Sequence, residues 1–391
     1  MNYLEKLLQG APVEWKTLGE IGNFYGGLTG KSKKDFEQGN AKYITYMNVF
    51  TNIATDLDSE NWVKVGDEER QNKIAYKDIL FTGSSETPNE CGMTSVVNQP
   101  IAEDIYLNSF CFGFRFDSEF IDIFDPDFLK YLFRGNLLRR EITRTANGVT
   151  RFNISKKKME KIKIPIPPLA VQKEIARILD AFTAITSELT SELTLRQKQY
   201  QHYRDKLLTF GDEVEWKTLG EVAPPIRGKR VVRAELNENG IYPVYQNSLK
   251  PLGFYDKTNC RKYSTFIIAA GAAGEVGFSD VDFWAADDCY YFKCPEILND
   301  KFLYYFLLKE NHKLFSQVRR ASIPRLGKTA IESLKIPLPP LEEQKRIATI
   351  LDKFHTLTSS LSDGLPKEIE LRQKQYEYYR ELLLGFENST L

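Results

Sequence analysis

The 391-residue chain balances 53 Lys and Arg against 53 Asp and Glu, so its formal net charge is zero. That balance excludes a globally basic clamp on nucleic acid and confines any such role to local patches. With 42% hydrophobic and 27% charged residues the chain reads as two or three globular domains, and its three histidines and five scattered cysteines, without a CxxC spacing, argue against a histidine site, a zinc ribbon or a disulfide framework.

No apolar run is long enough to span a bilayer, and Met1–Gly10 carries Glu5 and Lys6, so neither membrane contact nor a signal peptide is expected. Reduced thiols then point to a cytoplasmic protein. The chain opens on Tyr3-Leu4-Glu5-Lys6-Leu7-Leu8, which resembles Tyr203-Arg204-Asp205-Lys206-Leu207-Leu208, and continues into VEWKTLGE at Val13–Glu20. A variable region follows, in which strand-like runs such as Ala41–Val49 and Ile79–Phe81 alternate with Gly/Asn/Ser/Thr-rich turns. Pro126–Arg134 and Leu137–Arg144 read as helices.

From Pro165 the sequence PIPPLAVQKEIARILDAF predicts a long helix, with Pro167-Pro168 marking its start. Leu179, Phe182, Thr186, Leu189, Leu193, Arg196, Tyr200, Tyr203 and Leu207 alternate spacings of three and four, the seam of a helix packed along a partner helix. Roughly forty residues at about 1.5 Å each make a rod of about 60 Å. VEWKTLGE then returns letter for letter at Val214–Glu221. In the second variable region Ile241–Tyr245, Thr265–Ala269, Phe283–Ala285 and Tyr290–Phe292 read as strands and Asp300–Leu308 as a helix.

A second rod opens PLPPLEEQKRIATILDKF at Pro337, carries the seam through Leu351, Phe354, Thr358 and Leu361, and breaks at Asp363-Gly364-Leu365-Pro366. It restarts with Ile369, Tyr376, Tyr379 and Leu383. Both rods run through an identical LRQKQY, at Leu195–Tyr200 and Leu371–Tyr376, so the chain is an internal duplication. The expected fold class is α+β: two globular α/β domains separated by two long antiparallel coiled-coil helices, with internal pseudo-two-fold symmetry. The expected divisions are a first globular domain, 1–160, whose residues 1–12 complete the C-terminal helical unit, a central helical repeat, 161–210, a second globular domain, 211–333, and a C-terminal repeat, 334–391.

Charge turns positive near the end of each variable region. Arg139, Arg140, Arg144 and Arg151 stand there in the first, and Arg319, Arg320, Arg325 and Lys328 in the second. The stretches NGVTRFNIS (Asn147–Ser155) and ASIPRLGKT (Ala321–Thr329) occupy equivalent places, pairing Arg151 with Arg325. Lys31, Lys33 and Lys34, and Arg227, Lys229 and Arg230, form earlier basic loops. Such cations neutralise phosphate, while Arg, Asn, Gln, Ser and Thr reach base edges. Ser84, Ser85, Thr87, Asn89, Thr150, Gln246 and Asn247 are the candidates for that reading. On the rods, Gln172, Gln197, Tyr200, Tyr203, Gln344, Gln373, Tyr376 and Tyr379 are candidates for partner docking.

The glycine loop Gly26–Ser32 has three residues between the glycines where a phosphate loop needs four. No paired-carboxylate, Ser/His/Asp or Cys/His constellation stands out, which fits a non-catalytic chain.

Two divergent regions, each followed by a repeat running from P-I/L-P-P-L-x-x-Q through I-L-D-x-F to L-R-Q-K-Q-Y, resemble the specificity subunit of a type I restriction-modification enzyme over essentially the whole chain. The resemblance implies that each variable region is a target recognition domain reading one half of a bipartite site in double-stranded DNA. It implies rods that fix the spacing and dock two modification methyltransferase subunits, to which two restriction subunits then add. This chain would bind no cofactor. S-adenosylmethionine would sit on the modification subunits, and ATP and Mg on the restriction subunits. The competing expectation is a coiled-coil adaptor that joins proteins without reading DNA.

Overall fold

The computed structural model describes residues 3–387 except 238, 321, 361 and 362. Ala321 of the second basic loop and Leu361 of the second seam therefore lie outside the described residues, as do residues 1, 2 and 388–391 of the terminal segments. Two compact units divide the chain: Met1–Glu188 with Glu370–Leu391, and Leu189–Ile369.

In the first unit, Glu14–Thr17 pairs antiparallel with Lys163–Ile166, closing the variable region at its neck. Inside it, a four-stranded antiparallel sheet has the order Gly22–Gly26, Cys111–Phe116, Ile79–Thr82, Thr94–Val96. The strand Ile79–Thr82 is buried along its whole length because both faces are covered. Ile79 and Phe81 join the main core, whereas Leu80, pointing the other way, joins a second cluster with Ile44 and Leu107. A three-stranded sheet, Trp62–Val63, Ala41–Ile44, Ile105–Leu107, covers that second face, with its last two strands parallel. Ala41–Val49 is thus strand only to Ile44. Thr45 then caps the helix Tyr46–Thr51 through Asn48 N, 3.1 Å away.

The second unit repeats this plan. Trp216–Thr218 pairs with Lys335–Pro337. The four-stranded order is Ile226–Arg227, Cys289–Tyr291, Ser264–Ile268, Val276–Ser279, and the three-stranded order is Gly253–Tyr255, Tyr242–Tyr245, Trp284–Ala285. Again the last two strands of the smaller sheet are parallel. Between Ser264–Ile268 and Val276–Ser279 the chain turns tightly at Gly271 and Gly274, at φ of 85° and 93°, where a side chain would be strained. The helices Pro126–Leu132 and Asp300–Lys309 are capped alike: Asp125 accepts from Phe128 N and Asn299 from Phe302 N, both at 3.0 Å.

The first long helix, Leu169–Leu207, runs 39 residues. In the first unit it leaves the core through Val171, Ile175, Ala176 and Leu179, while the closing helix, Leu365–Leu384, enters the same core through Leu383 and Leu384. The two therefore run oppositely there, with Phe182 stacked on Tyr379 at 5.2 Å. In the second unit Leu208, just past the helix end, is buried with Ile347 and Leu351 of the helix Leu341–Ser359, and Tyr203 stacks on Phe354 at 5.6 Å. That helix stops at Ser359 and the next begins at Leu365, with Gly364 at φ 111° beside Thr356 O. No helix among the described residues is long and apolar enough to cross a membrane.

Candidate nucleic-acid interface

Each unit builds one small antiparallel hairpin against the end of its central strand. In the first, Asn147 pairs with Asn153, and Asn153 with Ser84. In the second, Arg319 pairs with Arg325, and Arg325 with Ala270. The framing hydrogen bonds match: Ile154 N donates to Gly83 O at 3.0 Å, and Leu326 N to Ala269 O at 2.8 Å. Gly83 N donates to Phe110 O and Ala269 N to Asp288 O, both at 2.7 Å. The intervening residues, 148–152 and 320–324, are equal in number. Arg151 therefore corresponds to Ile323, and Arg325 to Asn153. The expected pairing of Arg151 with Arg325 is out by two residues, because the sequence motif was aligned on its arginines and the backbone is aligned on its bridges.

This hairpin brings Ser84, Ser85, Thr150 and Arg151 to one rim. Arg151 Nε donates to Ser84 Oγ at 3.1 Å, and its guanidinium lies over the Phe110 ring, 5.8 Å from the centroid. Ser84 is buried and Ser85 half-buried, and Ser85 Oγ accepts from Thr87 N at 3.2 Å. Thr87 is turned toward Glu90, donating at 2.6 Å. Asn89 is exposed, though its carbonyl is taken by Arg139 at 2.9 Å. In the second unit Arg319, Arg320 and Arg325 are exposed around the hairpin. Asn247 joins them, its carbonyl accepting from Ala272 N at 2.9 Å, with half-buried Gln246 behind it. Lys328 ion-pairs with Glu332 at 3.0 Å one turn below.

Other candidates fall elsewhere. Lys33 and Lys34 are exposed on a short 3-10 turn, Lys33–Phe36, but Lys31 is held by Glu69 with only 5% of its side chain exposed. Arg227, Lys229 and Arg230 are exposed, and Arg227 Nε reaches Asp287 O at 2.8 Å. Arg140 is exposed, and Arg144 pairs with Glu141 with 73% of its side chain in solvent. Arg139 departs most from expectation. Its guanidinium donates to the carbonyls of Gly92, of Cys91 at 2.8 Å and of Asn89, and burial holds its pKa below the usual arginine range. It clamps the loop 89–92 by supplying donors to three of its carbonyls.

The docking candidates divide in the same way. Gln172 and Gln344 are fully buried. Gln172 Oε1 accepts from Asp125 N at 2.9 Å while Nε2 donates to Ile123 O and Pro167 O at 2.9 and 2.8 Å. Gln344 repeats all three with Asn299 N, Ile297 O and Pro339 O at 2.9, 2.9 and 2.8 Å. These amides tie the start of each helix to its own domain and are not a docking surface. Tyr200, Tyr203, Tyr376 and Tyr379 pack within the helical seam, and burial raises the phenol pKa of Tyr200 and Tyr376. Gln197 and Gln373 remain exposed. Near them in the sequence Leu195, Leu371 and Tyr378 are 57%, 48% and 65% exposed, which the sequence does not signal because exposed and seam-facing apolar residues alternate along the same helices.

Two equivalent α+β modules, each with a hairpin rim that carries arginine and each joined to a copy of one helical repeat, define a duplicated two-module protein. The chain matches the type I restriction modification DNA specificity domain over residues 12–196 and again over 211–371, and it belongs to that family. It is 32% identical to a putative type I restriction enzyme specificity subunit of Haemophilus influenzae, over 98% of both chains. It is 33% identical to the EcoR124I/EcoR124II specificity subunit of Escherichia coli, over 99% of this chain and 97% of that one. The fold is similar to the crystal structure of a type I restriction-modification S subunit from M. genitalium, with a TM-score of 0.63 at 16% identity over the full length of both.

Proposed function

We propose that this specificity subunit reads a bipartite site in double-stranded DNA, each module contacting one half. The observation that carries the reading is the repeated hairpin, whose bridges coincide while its rim chemistry differs. Conserved backbone with divergent side chains is what two readers of unlike half-sites require. In the first module Arg151, Thr150, Ser85 and Thr87 reach base edges, while Lys33, Lys34, Arg140 and Arg144 neutralise phosphates. In the second, Arg319, Arg320, Arg325, Asn247 and Gln246 read, while Arg227, Lys229, Arg230 and Lys328 position.

The helical repeats fix the separation of the two half-sites. Around Gln197 and Gln373 they offer exposed apolar and polar side chains to two modification methyltransferase subunits. The chain itself is non-catalytic and works in the cytoplasm. S-adenosylmethionine belongs to the modification subunits, and ATP with Mg to two restriction subunits that add to the complex.

Methylation-sensitive sequencing of DNA from cells carrying this chain and its modification partner tests the reading. Replacing residues 14–160 by the equivalent of another family member is expected to change one half-site only. Inserting four residues into both helical repeats is expected to alter the gap and leave both half-site sequences unchanged. A change in both halves after the replacement overturns modular reading, and an unchanged gap overturns the spacer role.

A further inference from the structure

The two rims differ in kind, and the difference is legible position by position. The matched hydrogen bonds of Asn108 N to Ile44 O and of Ala286 N to Tyr245 O, both 2.9 Å, set Tyr46 opposite Asn247 in the comparison. Those of Gly83 and Ala269 set Phe110 opposite Asp288. The hairpin bridges set Asn147 and Asn153 opposite Arg319 and Arg325. At these four positions the second module shows amide, carboxylate and guanidinium groups and the first aromatic rings and neutral amides; at the hairpin tip the order reverses, Arg151 standing opposite Ile323, which is 52% exposed.

The first module's side chains are also in the wrong place for packing. Phe110 is 60% exposed, Met47 57% and Val149 91%, although each belongs to a module with a well-filled core. Phe110 and Met47 line one concavity together with Tyr46, Ser84, Ser85 and Arg151. A single exposed apolar residue needs no explanation, but several around one arginine form a patch. Glu86 and Glu90 line the same concavity, and carboxylates there repel a phosphate. What remains is a base edge. In the major groove the apolar feature of a base edge is the thymine 5-methyl group, and Phe and other apolar side chains are its usual contacts.

We propose that Phe110, flanked by Met47 and held under Arg151, is a specificity-determining residue of the first module and contacts a thymine methyl group in its half-site. The assignment rests on the half-site reading above. Tyr46 fixes the geometry from below: its hydroxyl donates to Ser84 O at 2.8 Å and its ring stacks on Phe50 at 6.0 Å. Phe110 is anchored through its backbone, Gly83 N donating to its carbonyl at 2.7 Å, while its ring stays 60% exposed under Arg151.

The test uses the full chain assembled with its modification subunits. Methylation sequencing first assigns the half-site lost on replacement of residues 14–160. Duplexes then carry deoxyuridine in place of each thymine of that half-site in turn, which removes one methyl group and nothing else. One such replacement is expected to weaken binding by about fourfold or more, the worth of one buried methyl-sized group. Phe110→Ala should abolish that difference, Phe110→Leu should retain part of it, and both variants should treat the other half-site as the wild type does. A half-site without A·T pairs, a wild type indifferent to every replacement, or a Phe110→Ala complex that still senses the methyl group each overturns the proposal while leaving bipartite recognition standing. Absence of any sequence-specific methylation would instead bring down the half-site reading, and the proposal with it.

Discussion

Arg151 Nε and Ser84 Oγ lie 3.1 Å apart, so a residue of the hairpin tip and one of the neighbouring strand hold each other at the rim of the first module. A guanidinium has five donors, and one bond to a hydroxyl leaves enough for a bidentate contact with a guanine edge. Arg151→Ala is therefore expected to cost about 1–3 kcal/mol of discrimination at one base pair of one half-site. Binding to a panel of single-base variants checks this. A loss spread evenly over all sequences would mean that Arg151 contacts phosphate instead.

Adjacent arginines should behave in opposite ways. Arg140 is exposed, whereas Arg139 is bonded to three carbonyls of the loop 89–92. Arg140→Ala should lower the slope of log K against log salt by roughly 0.9, the share of one phosphate contact. Arg139→Ala should leave that slope alone and destabilise the first module by about 2–3 kcal/mol, because buried carbonyls lose a charged donor. Salt titration of binding and denaturant unfolding, run on both variants, separate the two roles.

Gln172→Ala and Gln344→Ala should each cost about 3 kcal/mol, since each strands one buried N–H and two buried carbonyls. The loss should be local. Hydrogen exchange should rise at Asp125 in the first variant and at Asn299 in the second. Equal protection in variant and wild type would show that the amides are replaceable by water.

His355 supplies a pH dependence in the second unit. It lies among Tyr200, Tyr304 and Tyr305, and burial lowers its pKa from the ordinary 6.5, against Asp352, which raises it, and with Lys301, which lowers it. The folded state thus prefers neutral imidazole, and the unfolded chain binds the proton first. Its contribution is complete above pH 6.5 and is lost as pH falls below that value toward the folded pKa. His355→Phe should flatten the stability profile below pH 6.5, measured by thermal unfolding at a series of pH values from neutral downward.

The rods were the most legible part of the chain. Leu179, Phe182 and Leu207 repeat at a helical spacing, and Gly364 marks the break, because local geometry writes both directly into sequence. Strand runs such as Ile79–Phe81 were legible for the same reason. Ala41–Val49 was not, since apolar residues fit both a strand and the helix that starts after Thr45. Charge was the poorest guide to the interface. Arg139 and Lys31 look like Arg140 and Lys33 in one dimension, and only the carbonyls of residues 89, 91 and 92 and the carboxylate of Glu69 tell them apart. Gln172 and Gln344 read as docking residues on the polar faces of the rods, and the structure buries both, because a repeated glutamine does not say whether it faces solvent or its own domain. Phe110 gave no signal, because an exposed phenylalanine and a core phenylalanine are the same letter.

The two hairpin loops hang between bridged ends of equal separation, Asn147 to Asn153 and Arg319 to Arg325. Mutations confined to the span between those anchors need not be compensated in the core, so new addresses can be tried at little risk to folding. Duplication doubles that freedom: one copy can drift to a fresh target while its sibling keeps the old one, and a lineage can change what it marks in half-steps.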